Sequence, residues 1–179
     1  MTYLREYEAD VSIREGGVIH LRPVRTEDAP QLVGLFAHSS PHSIFLRFHQ
    51  ALPRLSQDMA RQFATVDYQD SFALVATVDE GGQEHIVGLG HYIRLPGQES
   101  AEAAFWVEDA YQRKGIGTAL LRHLAAVARE KGVKAFEANV LPQNTLMLQV
   151  LRNSGLSLEI RLQEGVYHAV IPTAPPAPS

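Results

Sequence analysis

The chain has 179 residues, enough for one domain of ordinary size with a sizeable core. Its apolar fraction of 45% and charged fraction of 20% are those of a globular protein, and the absence of cysteine excludes a disulfide scaffold, a thiolate metal site and a cysteine nucleophile. A net charge of −4 argues against nucleic acid as a general partner, because duplex binding leans on Lys and Arg neutralising phosphates.

The residues from Met1 to Asp10 are polar, with no apolar run, so no secretory signal is read there. No later segment has the apolar length of a membrane span, so a cytoplasmic location without a membrane partner is expected. Residues 1–17 read as an arm or a peripheral strand, closed by Gly16 and Gly17. Val18 to Val24 alternates as a first strand. Thr26 with Glu27 and Asp28 predicts a helix start, with Leu32, Leu35 and Phe36 as its buried stripe. Ser40 opens a second helical piece holding Ile44, Leu46 and Phe48, and Ser56 opens a third with Met59 and Phe63 inward.

Strands are predicted at Phe72 to Val78 and Glu84 to Leu95, joined through Gly81 and Gly82, and then at Glu99 to Val107. Gly117 to Lys131 is the clearest helix: Leu120, Leu121, Leu124, Val127 and Ala128 fall at helical spacing, and Gly132 supplies a stop. Val133 to Val140 reads as a strand and Gln143 to Asn153 as a helix. Leu156 to Leu162 and Val166 to Ile171 close as a hairpin. Residues 172–179 are Pro-rich and are expected to be disordered, which leaves residues 18–171 as the organised domain. This order predicts an α/β protein of the α+β kind, with a mixed, mostly antiparallel sheet of about six to seven strands flanked by helices.

The chemistry centres on Gln112, Arg113, Lys114, Gly115, Ile116 and Gly117, where a strand gives way to a long helix. A helix start leaves backbone N–H groups unpaired at the positive end of its dipole. Glycines let an anion come close, and phosphate is the usual occupant of such a site. A Walker loop is excluded because Lys114 precedes its glycine, and a dinucleotide fingerprint is excluded because residue 120 is Leu. The six residues alone suit a plain glycine turn equally well.

In full, the segment matches the pattern Gln/Arg-x-x-Gly-x-Gly/Ala, and the chain resembles the acyl-CoA-binding GNAT superfamily over residues 18–160. Asn144, on a helix that runs to Ser154, Gly155 and Leu156, resembles that family's second landmark, with Leu156 in place of Phe. A narrower likeness, to Pat-type bacterial protein lysine acetyltransferases, is carried by Ala101 to Gln112, Val140 to Met147 and Ser40 to Phe48. Some of those relatives carry a further regulatory or ligase-like domain. This chain has room for neither, and a stand-alone catalytic domain is expected.

The resemblance implies a GNAT fold and an N-acetyltransferase that moves an acetyl group from acetyl-CoA to a primary amine in a ternary complex. A protein lysine is the first acceptor implied, with a small amine as the rival. A non-catalytic acyl-CoA sensor on the same fold is the competing class. By the same resemblance, the backbone of residues 112–117, together with Thr118, would take the pyrophosphate. A strand amide at Trp106 or Val107 would meet the pantetheine or acetyl carbonyl, and Asn144 and Met147 would line the pantetheine arm.

Glu102 aligns with the Pat-type catalytic glutamate, which would deprotonate an amine whose reference pKa is about 10.4. The strand pattern alone reads Glu102 as a solvent-facing carboxylate sharing a face with Ala104 and Trp106. Many GNAT enzymes place a Tyr proton donor seven residues after the Asn, where this chain has Leu151, so a dedicated general acid is in question. Asp109 reads as a cap or loop carboxylate. His38 and His42 are four apart, but Pro41 lies between them and no third ligand has suitable spacing. No metal is therefore expected. A monomer or a homodimer is compatible with the chain.

Overall fold

A computed structural model describes residues 5–14 and 16–176 of the chain. The strands are β1 (Ala9–Ser12), β2 (Val18–Pro23), β3 (Ser71–Glu80), β4 (Gln83–Arg94), β5 (Ser100–Val107), β6 (Ala135–Val140), β7 (Glu159–Gln163) and β8 (Val166–Pro172). The helices are α1 (Ala29–Ala37), α2 (Pro41–Phe48), α3 (Gln57–Ala64), α4 (Ile116–Glu130) and α5 (Thr145–Asn153). The strands form one sheet in the order β1-β2-β3-β4-β5-β6-β8-β7. Every neighbouring pair is antiparallel except β5 and β6, which run parallel.

The mostly antiparallel sheet is as expected, but it has eight strands rather than six or seven. The additional strand is β1, which pairs with β2 at the sheet edge. It lies within residues 1–17, which the sequence leaves open as an arm or a peripheral strand. At the other end, β8 takes in Pro172, and Thr173 is buried with its Oγ1 donating to Val133 O at 2.7 Å. The expected tail therefore begins later than 172; residues 177–179 lie outside the described residues.

Two apolar clusters sit on opposite faces of the sheet. One holds Phe72, Tyr92, Ala101, Ala103 and Phe136 under Leu120, Leu121 and Leu124 of α4 and Leu148 and Leu151 of α5. The other holds Ala73, Val75, Leu89 and Trp106 under Leu32 and Leu35 of α1, Ile44 of α2 and Ala60 of α3. Period-two alternation along β3 and β5 feeds both clusters. Arg22, 1% exposed, ties β2 to the turn before α1: its Nη1 and Nη2 donate to Asp28 at 2.9 and 2.7 Å, and Nη2 also donates to Glu84 at 2.6 Å. Asp28, not Thr26, organises that turn, accepting the Arg25 N–H at 2.7 Å.

Two irregularities shape the middle of the sheet. The register of β3 against β4 slips so that Ala76 pairs with Gly88 and Thr77 with Ile86, leaving Val87 as an extra residue. The parallel pairing of β5 with β6 is confined to Ser100, Ala101 and Glu102 against Ala135, Phe136 and Glu137. Beyond Glu102 the two strands no longer pair, and a cleft opens beside the end of β5.

Candidate active site

The cleft has a volume of about 350 Å³. Its walls come from the end of β5 (Phe105, Trp106, Val107), the loop and first turn of α4 (Gln112, Arg113, Gly115 to Thr118) and the start of α5 (Asn144 to Met147, Val150). Further walls come from α2 (His42, Ser43, Leu46, Arg47) and from Arg14 in the N-terminal segment.

The helix that opens into the cleft lacks a cap. Ser40 caps α2, Ser56 caps α3 and Asn144 caps α5, each side chain accepting a backbone N–H of the first turn. No side chain caps α4, the longest helix among the described residues. Its first intrahelical bond runs from Ala119 N to Gly115 O at 3.0 Å, so the N–H groups of residues 115–118 have no acceptor within the helix. They point positive dipole at the cleft, the electrostatics an anion requires.

The two loop glycines have different physical reasons. Gly115 sits at φ +92°, a left-handed backbone that L side chains resist. Gly117 is required by packing: a Cβ there would lie 2.9 Å from Val150 Cγ2 on α5. Arg113 also adopts positive φ, at 65°, and a non-glycine residue held there stores strain at the loop.

At the end of β5 one amide pair turns toward the cleft. Glu108 N donates to the bulged Val87 O at 2.8 Å, so position 108 faces β4. Alternation then directs the Val107 N–H and C=O to the opposite side, where β6 has separated. Gln112 Nε2 donates to Val107 O there at 3.0 Å and to Ser43 Oγ at 3.3 Å. The Gln112 side chain thus braces the loop against β5 and α2.

Asp109 is a second brace. Its carboxylate accepts from Ser40 N at 2.9 Å, Ser40 Oγ at 2.8 Å and Ser43 Oγ at 3.0 Å. Burial by itself would raise its pKa, but these hydrogen bonds outweigh it and hold the carboxyl below its ordinary value. Asn144 Oδ1 accepts from Met147 N at 3.1 Å, so half of its amide serves as the α5 cap.

Of the residues anticipated for cofactor binding, Trp106, Val107, Gln112, Arg113, Gly115, Ile116, Gly117, Thr118, Asn144 and Met147 all line the cleft. Lys114 does not; its carbonyl instead accepts from Arg14 N at 3.1 Å. The Trp106 side chain belongs to the core: it is 3% exposed, edge-on to Phe36 and Phe48, with Nε1 donating to Ser39 Oγ at 3.1 Å. Glu102 is exposed on β5 and is not a wall of the cleft. It sits on the Trp106 face, two same-face positions away, which is about 13 Å along a strand.

Arg14 was not legible as a site residue, because its segment carries no motif. Arg47 belongs to the Ser40 to Phe48 segment that carries the Pat-type likeness, where it suits an acceptor-side helix and the rim of an amphipathic helix equally well. In the fold, Arg47 Nη2 lies 2.8 Å from His91 Nε2, and its guanidinium stands 4.8 Å from the centre of the Phe48 ring. Burial lowers its pKa to about 10, the nearby charge of Glu102 opposing the shift, so it stays protonated at neutral pH. Leu151, at the position where other family members place a Tyr, is fully buried. The Tyr111 hydroxyl reaches the rim but donates to Glu80 Oε1 at 2.9 Å.

A glycine loop that opens an uncapped helix into the cleft is the feature anticipated for acyl-CoA. The model of the GNAT acetyltransferase family matches residues 39–155. The chain belongs to this family. It is 32% identical over 123 residues to the acetyltransferase PA5475 of Pseudomonas aeruginosa, covering 69% of this chain and 66% of that one. It is 31% identical over 146 residues to the acetyltransferase Pat of Mycolicibacterium smegmatis, covering 81% of this chain and 43% of Pat. The chain thus spans less than half the length of that GNAT relative. Among solved structures, it superposes on the GNAT domain of S. lividans PAT with a TM-score of 0.87 at 35% identity, covering 96% of this chain and 99% of that domain. No helix among the described residues is long and apolar enough to cross a membrane.

Proposed function

We propose that the chain transfers the acetyl group of acetyl-CoA to the side-chain amine of a protein lysine, by direct attack within a ternary complex. Acetyl-CoA fits the cleft on one observation above others: α4 opens into it with no side-chain cap, so its first-turn N–H groups are left for the pyrophosphate. The Val107 N–H, turned toward the gap between β5 and β6, is the donor for the thioester carbonyl and for the oxyanion that develops on it. The amide nitrogen of Asn144, with Oδ1 held by the cap, is the donor toward the pantetheine arm.

Acetyl-CoA supplies the electrophilic carbonyl. Glu102 takes a proton from the acceptor ammonium through water, since its carboxylate is set back along β5, and the free amine so formed attacks the thioester carbonyl. With Leu151 buried and the Tyr111 hydroxyl bonded to Glu80, the departing thiolate takes its proton from solvent or from the amine.

A protein acceptor is favoured over a small amine by the openness of this face. Glu102 is exposed, and Ile93, its partner across β4, is 56% exposed. An enclosed pocket for a free amine would bury both. The test is incubation with labelled acetyl-CoA and, separately, folded proteins, lysine peptides and small polyamines. Label on protein lysine supports the reading. Transfer to small amines alone moves the acceptor to that class, and acetyl-CoA binding without any transfer turns the chain into a sensor.

A further inference from the structure

His38, His85 and Glu108 come together from three separate elements: the C-terminal cap of α1, the start of β4 and the residue after β5. One ligand atom from each lies within 4.8 Å of the other two. The Glu108 carboxylate sits between the rings, with Oε1 3.9 Å from His38 Nδ1 and Oε2 3.4 Å from His85 Nε2. Neither approach is a hydrogen bond. Oε2 is buried without a hydrogen-bond partner, on a side chain only 10% exposed. A buried carboxylate oxygen left unmatched carries a desolvation penalty that the surrounding protein does not offset.

We propose that these three side chains form a binding site for a borderline divalent cation of the zinc class. Two imidazole nitrogens and one carboxylate are the donors such ions take, whereas magnesium and calcium prefer all-oxygen shells. Tetrahedral coordination at zinc's bond lengths sets neighbouring ligand atoms about 3.4 Å apart. The Glu108–His85 pair is already at that spacing, and rotation of the His38 ring, 55% exposed, closes the rest. The carbonyl end of α1 adds negative dipole at the same point. The exposed His38 edge admits the ion, with water as the fourth ligand.

The site is separate from the acetyl-transfer chemistry but adjoins its scaffold. Tyr111 N donates to Glu108 O at 2.9 Å, and Asp109, the next residue, holds α2. A bound ion would clip α1, β4 and the loop before α4 to one another.

The test uses the untagged full chain, treated with chelator and then titrated with zinc or cobalt chloride. Calorimetry should find one equivalent. Cobalt should produce the visible d–d absorption of a four-coordinate site, and magnesium chloride should produce neither signal. At a hundredfold excess over Kd, zinc should raise Tm by about 5–10 °C. His38→Ala and His85→Ala should each weaken uptake at least tenfold, on the order of one lost ligand, while keeping a cooperative melt. Should His85→Ala not fold, His38→Ala, with its exposed ring, keeps the test decisive. Absence of saturable zinc and cobalt uptake overturns the proposal, as does uptake unchanged in the variants, which would assign the ion to other histidines.

Discussion

Arg47 Nη2 donates to His91 Nε2 at 2.8 Å, beneath α2 and against the face of β5 that carries Glu102 and Trp106. A guanidinium has no acceptor, so His91 must be neutral with its proton on Nδ1. Burial first, and the charge of Arg47 second, lower the His91 pKa to about 3. Phe63 lies tilted beside both groups, with its ring centre 5.7 Å from that of His91 and 5.7 Å from the guanidinium carbon. His91 pairs with Ala104 across the ladder, which places this cation and its acceptor between Glu102 and the cleft. The arrangement keeps the positive charge of Arg47 near the carboxylate of Glu102.

The pH dependence of stability follows from that pair. The folded pKa of His91 is depressed below its unfolded value of about 6.5, so between pH 6.5 and about 3 the unfolded chain binds more protons than the native one. The contribution is fully present above pH 6.5 and is lost as pH falls through that window. Allowing for partial solvent access, the loss should be roughly 2–4 kcal/mol. Urea unfolding of wild type and His91→Gln from pH 7 to pH 4 measures it. The variant, whose amide oxygen still accepts from Arg47, should lose most of this slope; equal slopes would remove His91 as the cause.

Gly117→Ala should weaken acetyl-CoA binding about tenfold or more, despite the better helix propensity of alanine. The added Cβ meets Val150 Cγ2 at 2.9 Å, and a β-branched side chain on a helix has little freedom to move aside. Overpacking of this kind costs about 1–3 kcal/mol and displaces the N-terminal turn that would face the pyrophosphate. Calorimetry on Gly117→Ala and on Gly117→Ala with Val150→Ala separates sterics from backbone freedom. The double variant should recover most of the affinity.

Asp109→Ala removes three hydrogen bonds that join the loop to the start of α2. Stability should fall by about 1–3 kcal/mol, because the Ser40 and Ser43 donors are left without their charged acceptor. KM for acetyl-CoA should rise more than kcat falls, as Asp109 braces the loop and is not assigned to the reaction. A loss confined to kcat would instead place this carboxylate in the chemistry.

Glu102→Gln keeps the size and exposure of the side chain and removes the base. Turnover on a lysine acceptor should fall by about 10²–10⁴-fold with acetyl-CoA affinity nearly unchanged. Part of the rate should return at high pH, where the free amine needs no base. Unaltered turnover at neutral pH would take Glu102 out of the mechanism.

Local periodicity and capping chemistry were enough to place most of this protein. The helical spacing of Leu120, Leu121 and Leu124, the caps at Ser40 and Ser56 and the glycine stop at Gly132 are each determined within a few residues, so the sequence by itself determined the elements and the loop at Gln112 to Gly117. Only the tertiary structure decided what depends on contacts between distant segments. The end of β5–β6 pairing after Glu102 leaves no local mark, and neither do the bulge at Val87 and the β4–β5 register that leaves Val107 facing away from β4. Arg14 reaches the cleft because an N-terminal segment passes the loop, and Arg47 meets His91 only once α2 packs on the sheet. His38 looked toward His42 along the chain, yet its neighbours in space are His85 and Glu108, brought from two other strand ends. Spacing along the chain reports on neighbours within one element; sheet register and packing, which no short window encodes, set every meeting between elements.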